Sequence, residues 1–216
     1  MKNSITITLG LLDELREFDT PLLANTIYFI DPTPTYEFYL SGDIQSVMPP
    51  LGPTVCIAFT AEIDSSTPEG VAETDLYWEQ LEAMNKCELP IVWVMKAVGS
   101  RPEHKCMIGD GMAKTLFSVG CVGLVSDSRV RDVPGLITAP FAAYCRGRAV
   151  HHGALRFRAT NRSVEVGGVT IRNRAFEHEA HMFLRRTDRS PAEKRVHVQK
   201  LVAKYGFTDC VSGAKR

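Results

Sequence analysis

The chain has no stretch of 18 uncharged apolar residues, and its N-terminus, MKNSITITLGLLDELREFD, has no basic flank leading into an unbroken apolar run. Neither a membrane span nor a secretory leader is expected. The six cysteines (Cys56, Cys87, Cys106, Cys121, Cys145 and Cys210) form no C-x-x-C pair and keep no regular spacing. That excludes a zinc knuckle and a disulfide framework, and leaves reduced thiols of a cytoplasmic protein as the simplest reading. With 16 glycines and 12 prolines in 216 residues, and no internal repeat, collagen, coiled coil and disorder are excluded as well.

What is present is the composition of one globular domain, or at most two small ones: 44% hydrophobic, 23% charged and 8% aromatic residues. The net charge is zero, with 25 Lys+Arg against 25 Asp+Glu, but the charges are unevenly placed. Residues 1–145 carry 9 basic against 19 acidic side chains, and residues 146–216 carry 16 against 6. Only the tail could meet a polyanion, and no nucleic-acid-binding motif supports such a role.

Leu11, Leu12, Leu15 and Phe18 fall at helical spacing, and Thr20-Pro21 reads as an N-cap with proline at the first position of a second helix through Leu22, Leu23 and Ile27. Asp31-Pro32-Thr33-Pro34 is loop. From Pro49 onward, short apolar runs (Val55–Phe59, Ile91–Val94, Val122–Val125 and Ile137–Phe141) alternate with helical stretches at Pro68–Lys86 and Gly111–Val119. This is the pattern of an α/β layer structure. Residues 156–172 alternate around Gly167-Gly168 and read as a hairpin. The last forty residues read as helical again, with a capping box at Ser190-Pro191-Ala192-Glu193.

The stretch with chemical potential is Gly109-Asp110-Gly111-Met112-Ala113-Lys114, followed one helix and one strand later by Arg131-Asp132. A helix starting at Gly111 would bury Ala113, Leu116 and Phe117, end at Gly120, and offer unpaired N–H groups to a small anion. Arg131-Asp132 lies just beyond a buried strand, where α/β sheets place ligands. A guanidinium can hold a carboxylate through two parallel hydrogen bonds, and an aspartate is a hard oxygen ligand suited to Mg²⁺.

The stretch GSRPEHKCMIGDGMAKTLFSVGCVGLVSDSRVRD resembles the RraA-like family, which includes metal-dependent 4-hydroxy-4-methyl-2-oxoglutarate aldolases and regulators of ribonuclease activity. The likeness extends through Thr20-Pro21, Pro53–Thr60 and VEVGGVTI, and covers most of residues 10–171. It implies a central mixed sheet flanked by helices, of the swivelling β/β/α type, over residues 1–172, with 173–216 as a helical extension. It also implies a homotrimer or a dimer of trimers. Carried over by position, it makes Gly109, Asp110, Gly111 and Met112 a carboxylate-binding loop and Arg131 the substrate-binding arginine. Asp132 becomes the ligand of Mg²⁺ or Mn²⁺, and Asp110 orients metal-bound waters, one of which relays protons.

The implied reaction is retro-aldol cleavage of a small 2-oxo acid to pyruvate, with decarboxylation of oxaloacetate as a related activity. The alternative is a non-catalytic regulator of a ribonuclease or RNA helicase. Three departures from the family pattern stand out: Ser128 where glycine is usual, the extra charge of Arg129, and a missing block of strands after Arg172. A Schiff-base route would need a lysine of lowered pKa, and nothing in the sequence around Lys96, Lys105 or Lys114 signals one. His178 and His181 are not spaced as zinc-protease ligands, and His151-His152 reads as loop or strand end. Tyr77, Trp78 and Leu81 read as core or subunit packing.

Overall fold

The computed structural model describes residues 7–30, 34–48, 51–101, 104–172 and positions 190, 192, 193, 196 and 200. The apolar runs after Pro49 become three parallel strands, each longer than its hydrophobic centre: β2 (Ile57–Asp64), β3 (Ile91–Val98) and β4 (Cys121–Ser126). β2 pairs with β3, β3 with β4, and β4 with the parallel β5 (Ala142–Cys145), while β1 (Gln45–Ser46) and β6 (Arg156–Thr160) run antiparallel at the two edges. The six-stranded order is β1-β5-β4-β3-β2-β6, a mixed sheet as the family resemblance implies.

Along β3, Ile91, Trp93, Met95 and Ala97 enter one core and Val92 and Val94 another, because successive side chains leave opposite faces of a strand. The larger core is closed by α3 (Asp75–Asn85) through Tyr77, Leu81 and Met84, and by α4 (Asp110–Ser118) through Ala113 and Leu116. The other face is covered by a hairpin of β7 (Val164–Val166) and β8 (Val169–Ile171), whose Val164 and Val166 pack on Val94. Gly167 and Gly168 turn it with φ of 56° and 80°, a pair of positive values that favours glycine. The result is a sheet, a hairpin and a helix layer, with β6 drawn out of the expected hairpin to edge the main sheet.

Upstream, α1 (Leu9–Arg16) is capped by the Thr8 hydroxyl, which accepts from Leu11 N–H at 3.2 Å. The helix α2 (Thr20–Ile30) is capped one residue earlier than expected, because the Asp19 carboxylate accepts from Leu22 N–H at 2.7 Å. Two further expectations are corrected. Ile137–Phe141 is no strand: it follows the short helix α5 (Val133–Leu136), whose Val133-Pro134 start favours a helical turn. Phe117 faces outward on α4, one position off the buried stripe. The capping box at Ser190 is present, with Ser190 N–H donating to Glu193 at 2.8 Å and Glu193 N–H to Ser190 Oγ at 3.2 Å. Residues 173–189 lie outside the described residues, and with them His178 and His181.

A buried polar knot ties α3 to the sheet. Trp93 Nε1 donates to Gln80 Oε1 at 2.9 Å, and Gln80 Nε2 donates to Thr60 O at 2.8 Å and Asn161 Oδ1 at 3.0 Å. Gln80→Ala strands the indole N–H and opens a void, and should lower unfolding free energy by about 2–4 kcal/mol. Urea denaturation checks this; a change below about 0.5 kcal/mol, the size of an ordinary surface substitution, would contradict it.

Candidate functional site

Val130 is the residue on which the two separated stretches are strung. It bridges in parallel to Ile108 on one side and Arg148 on the other. Met107 N–H donates to Arg129 O at 2.9 Å, Arg131 N–H to Ile108 O at 2.9 Å, Val130 N–H to Gly147 O at 3.1 Å, and Ala149 N–H to Val130 O at 2.9 Å. The 107–109 segment is thereby clamped against 129–131 just where α4 begins.

At that junction the chain gives Gly109 no room for a side chain. A Cβ there would lie 2.7 Å from Asp132 Oδ2 and 3.1 Å from Arg131 Nε. Gly109 is also the N-cap of α4, extended at φ −121°, with no side chain capping the helix. The N–H groups of Asp110, Gly111 and Met112 therefore precede the first internal helix bond, from Ala113 N–H to Gly109 O at 3.1 Å. The Met112 side chain packs toward the main core, so this residue presents backbone to the site.

Asp132 has left-handed backbone, φ 57° and ψ 36°, where aspartate is tolerated better than most residues. Its carbonyl accepts from Gly135 N–H at 2.8 Å and Leu136 N–H at 3.1 Å, which anchors α5. The turn strain thus falls on Asp132 and not on Ser128, which replaces the usual glycine without a positive φ. The Asp132 side chain remains 47% exposed, and Arg131, 32% exposed, brings its Nε to 3.3 Å of Asp132 Oδ2. That contact is an ion pair without a hydrogen bond, so the buried Arg131 Nε–H has no acceptor.

Asp110 sits opposite, its carboxylate against Gly135 of α5 and paired with Lys114 Nζ at 2.8 Å. The Lys114 ammonium, foremost, with help from Gly111 N–H and Arg131, holds its carboxyl below the usual range. Pro134-Gly135, one residue beyond Arg131-Asp132, was the sequence signal for this turn and close approach. Among the other lysines, Lys96 pairs with Asp127 at 2.8 Å. Burial pushes the Lys105 ammonium downward, with Asp127 opposing, a shift its sequence neighbours give no sign of. Lys105 Nζ is tied to Ala97 O at 2.9 Å.

The five described cysteines are unpaired. Burial raises Cys56 and Cys106 to about 11 and Cys121 to about 12, so none of these three offers a thiolate near neutrality.

A metal at this place would meet hard oxygen donors. Among the described residues no group of three or more His, Cys, Asp and Glu side chains gathers. One or two carboxylates with several waters is the ligand set Mg²⁺ accepts. The half-exposed Asp132, the room left by Gly109 and the orphaned Arg131 donor fit a hydrated cation with an anionic ligand beside it.

The family model described as RraA-like, Aldolase/RraA, matches residues 35–176. Among solved structures, the chain resembles RraAS2 of Streptomyces coelicolor, described as an unusual member of the RNase ES inhibitor RraA protein family. That match has 22% identity, 78% of this chain, 80% of that one and a TM-score of 0.58. An uncharacterised protein of Pseudomonas syringae pv. tomato matches at 22% identity over 78% and 74%, TM-score 0.55. A protein from gut-ecosystem microbes, described among novel cellulases, matches at 17% over 80% and 75%, TM-score 0.63. These likenesses establish the fold. No curated protein sequence matches the chain significantly.

The Asp110–Lys114 pair predicts a titration. Lys114→Ala should move the Asp110 carboxyl up toward its ordinary value of 3.8 without unfolding the chain, read by carboxyl-carbon NMR. Because the folded value is depressed, the pair's contribution is present above the ordinary value and lost as pH falls through the folded one. An unmoved titration would remove Lys114 as the cause.

Proposed function

We propose, from the premise that the chain belongs to the RraA-like (Aldolase/RraA) family, that it is a divalent-metal-dependent lyase cleaving a carbon–carbon bond of a small 2-oxo acid. The family includes aldolases as well as inhibitors of ribonuclease. The observation that carries the reading is the crowding at Gly109: an acidic oxygen, a guanidinium and a helix N-terminus meet where a single Cβ would not fit.

When bound, Mg²⁺ or Mn²⁺ supplies a Lewis acid for the keto and carboxylate oxygens of such a substrate. Asp132 would hold it, leaving most of the coordination shell to water and substrate. Arg131, whose Nε–H already lacks an acceptor, binds a substrate oxygen and compensates the negative charge that gathers on the keto group as the bond breaks. The N–H groups of Asp110, Gly111 and Met112 receive a substrate carboxylate, aided by the helix-end partial charge, worth about 0.3–1 kcal/mol at a surface. Asp110, kept ionised by Lys114, orients the water that takes the proton of the 4-hydroxyl. Pyruvate is one product, and oxaloacetate decarboxylation follows the same electron flow with CO₂ as the leaving group.

Assembly as a homotrimer or dimer of trimers belongs to this reading. It is supported by apolar side chains exposed on the surface, among them Trp78 at 57% exposure on α3. Those same side chains favour a second reading, a non-catalytic regulator that docks on a ribonuclease or RNA helicase, as the description of RraAS2 suggests.

A lactate-dehydrogenase-coupled assay on oxaloacetate and 4-hydroxy-4-methyl-2-oxoglutarate, with and without Mg²⁺, separates the two. Metal-dependent pyruvate release is expected; no turnover with either substrate would favour the regulator. Asp132→Ala should abolish the release and keep the fold, and unchanged turnover would remove Asp132 from the mechanism. Arg131→Lys should mainly raise KM, roughly tenfold or more, because lysine cannot make the paired hydrogen bonds.

A further inference from the structure

Apart from Gly109, Asp110, Arg131 and Asp132, a cavity of about 370 Å³ opens beyond the carboxyl end of β2, between residues 65–70, Arg101, His104 and residues 151–154. Its walls are drawn together by close backbone approach. Gly153 N–H donates to Ser65 O at 2.8 Å, and a Cβ on Gly153 would lie 2.7 Å from that oxygen. Beneath the turn, the buried Arg156 donates to Glu69 O at 2.9 Å and Thr67 O at 2.5 Å, and its Nε–H has no acceptor.

The lining sorts into donors on one side and acceptors on the other. Ser65 Oγ accepts from Cys106 N–H at 3.2 Å and Ser66 Oγ from Arg101 N–H at 3.3 Å. With those acceptor positions used by backbone, both hydroxyls keep an O–H to donate. Arg101 adds a guanidinium. Across the cavity, His151 Nδ1 donates to His152 O, and His152 Nδ1 donates to Gly153 O at 2.6 Å. A carbonyl can only accept, so Nδ1 of each ring carries the hydrogen of its contact, and Nε2 is not engaged by it. Glu69 is the one acidic side chain among the described lining residues.

We propose that this cavity is a second binding site, taking a small hydroxylated phosphomonoester whose phosphoryl oxygens meet Ser65, Ser66 and Arg101 and whose hydroxyls meet His151 and His152. A phosphoryl group offers three oxygens in three directions, matching donors that converge from two loops, where a planar carboxylate offers two. The cavity is several times larger than a phosphate ion, which leaves space for the organic part. The site uses none of the groups assigned to the lyase reading, so the two stand or fall separately.

The test is ligand titration of the full chain by calorimetry and phosphorus NMR, with glycerol 3-phosphate and inorganic phosphate as probes. Glycerol 3-phosphate should bind saturably below about 10 mM, and inorganic phosphate at least about tenfold more weakly, a difference of about 1.4 kcal/mol. Arg101→Ala combined with His152→Ala, and separately Ser66→Ala, should weaken the ester about tenfold or more, with melting temperatures unchanged. Asp132→Ala should bind it as the unaltered chain does. Linear, non-saturating signals, unaltered binding in both variants, equal affinity for the two probes, or loss of binding in Asp132→Ala would each overturn the assignment.

Discussion

One short piece of parallel backbone pairing holds the candidate site together: Ile108 beside Val130, with Arg131 N–H on Ile108 O and Met107 N–H on Arg129 O. It joins the entrance of α4 to the exit of β4, pairing positions twenty-two residues apart, and sets Gly109 against Arg131 and Asp132. Three consequences follow from that clamp. The helix N-terminus faces the guanidinium; Asp132 is forced into a left-handed turn that starts α5; and Gly135 of that turn is pressed onto Asp110. Removing the clamp would leave each of these groups as an ordinary surface residue.

The alternation of apolar runs and helical stretches was sufficient to read the α/β class, because strands buried on both faces leave continuous hydrophobic signals. The turn at Gly167-Gly168 was legible for a local reason, since two consecutive positive φ values favour glycine. What could not be read was where a strand goes after it forms. β6 leaves the expected hairpin to pair with Ala61–Asp64, a contact between residues far apart in sequence. Ile137–Phe141 has strand-like composition but sits behind Pro134, and its Ala139 and Phe141 pack a turn against the core while Ile137 stays exposed.

The two stretches of the candidate site stood out in the sequence, and the contacts that join them did not. Glycine, aspartate and arginine at 109–112 and 131–132 carried the family pattern, and the structure brings the two stretches together. Sequence spacing could not reveal the missing acceptor of Arg131 Nε or the burial of Lys105, because each depends on packing from other elements. The polar turn after β2 escaped for the same reason. Asp64, Ser65, Ser66 and Thr67 are buried or half-buried although polar, and Asp64 accepts from the N–H groups of Ser66 at 3.0 Å and Thr67 at 2.9 Å.

The central claim is that both stretches face one cation. Sub-stoichiometric Mn²⁺ added to isotope-labelled protein tests this without any substrate, because its unpaired electrons broaden nearby amide signals. The account predicts that Gly109–Met112 and Arg131–Asp132 broaden together and first, and that Asp132→Ala abolishes the effect. Broadening confined to one stretch, or centred elsewhere in the chain, would contradict it.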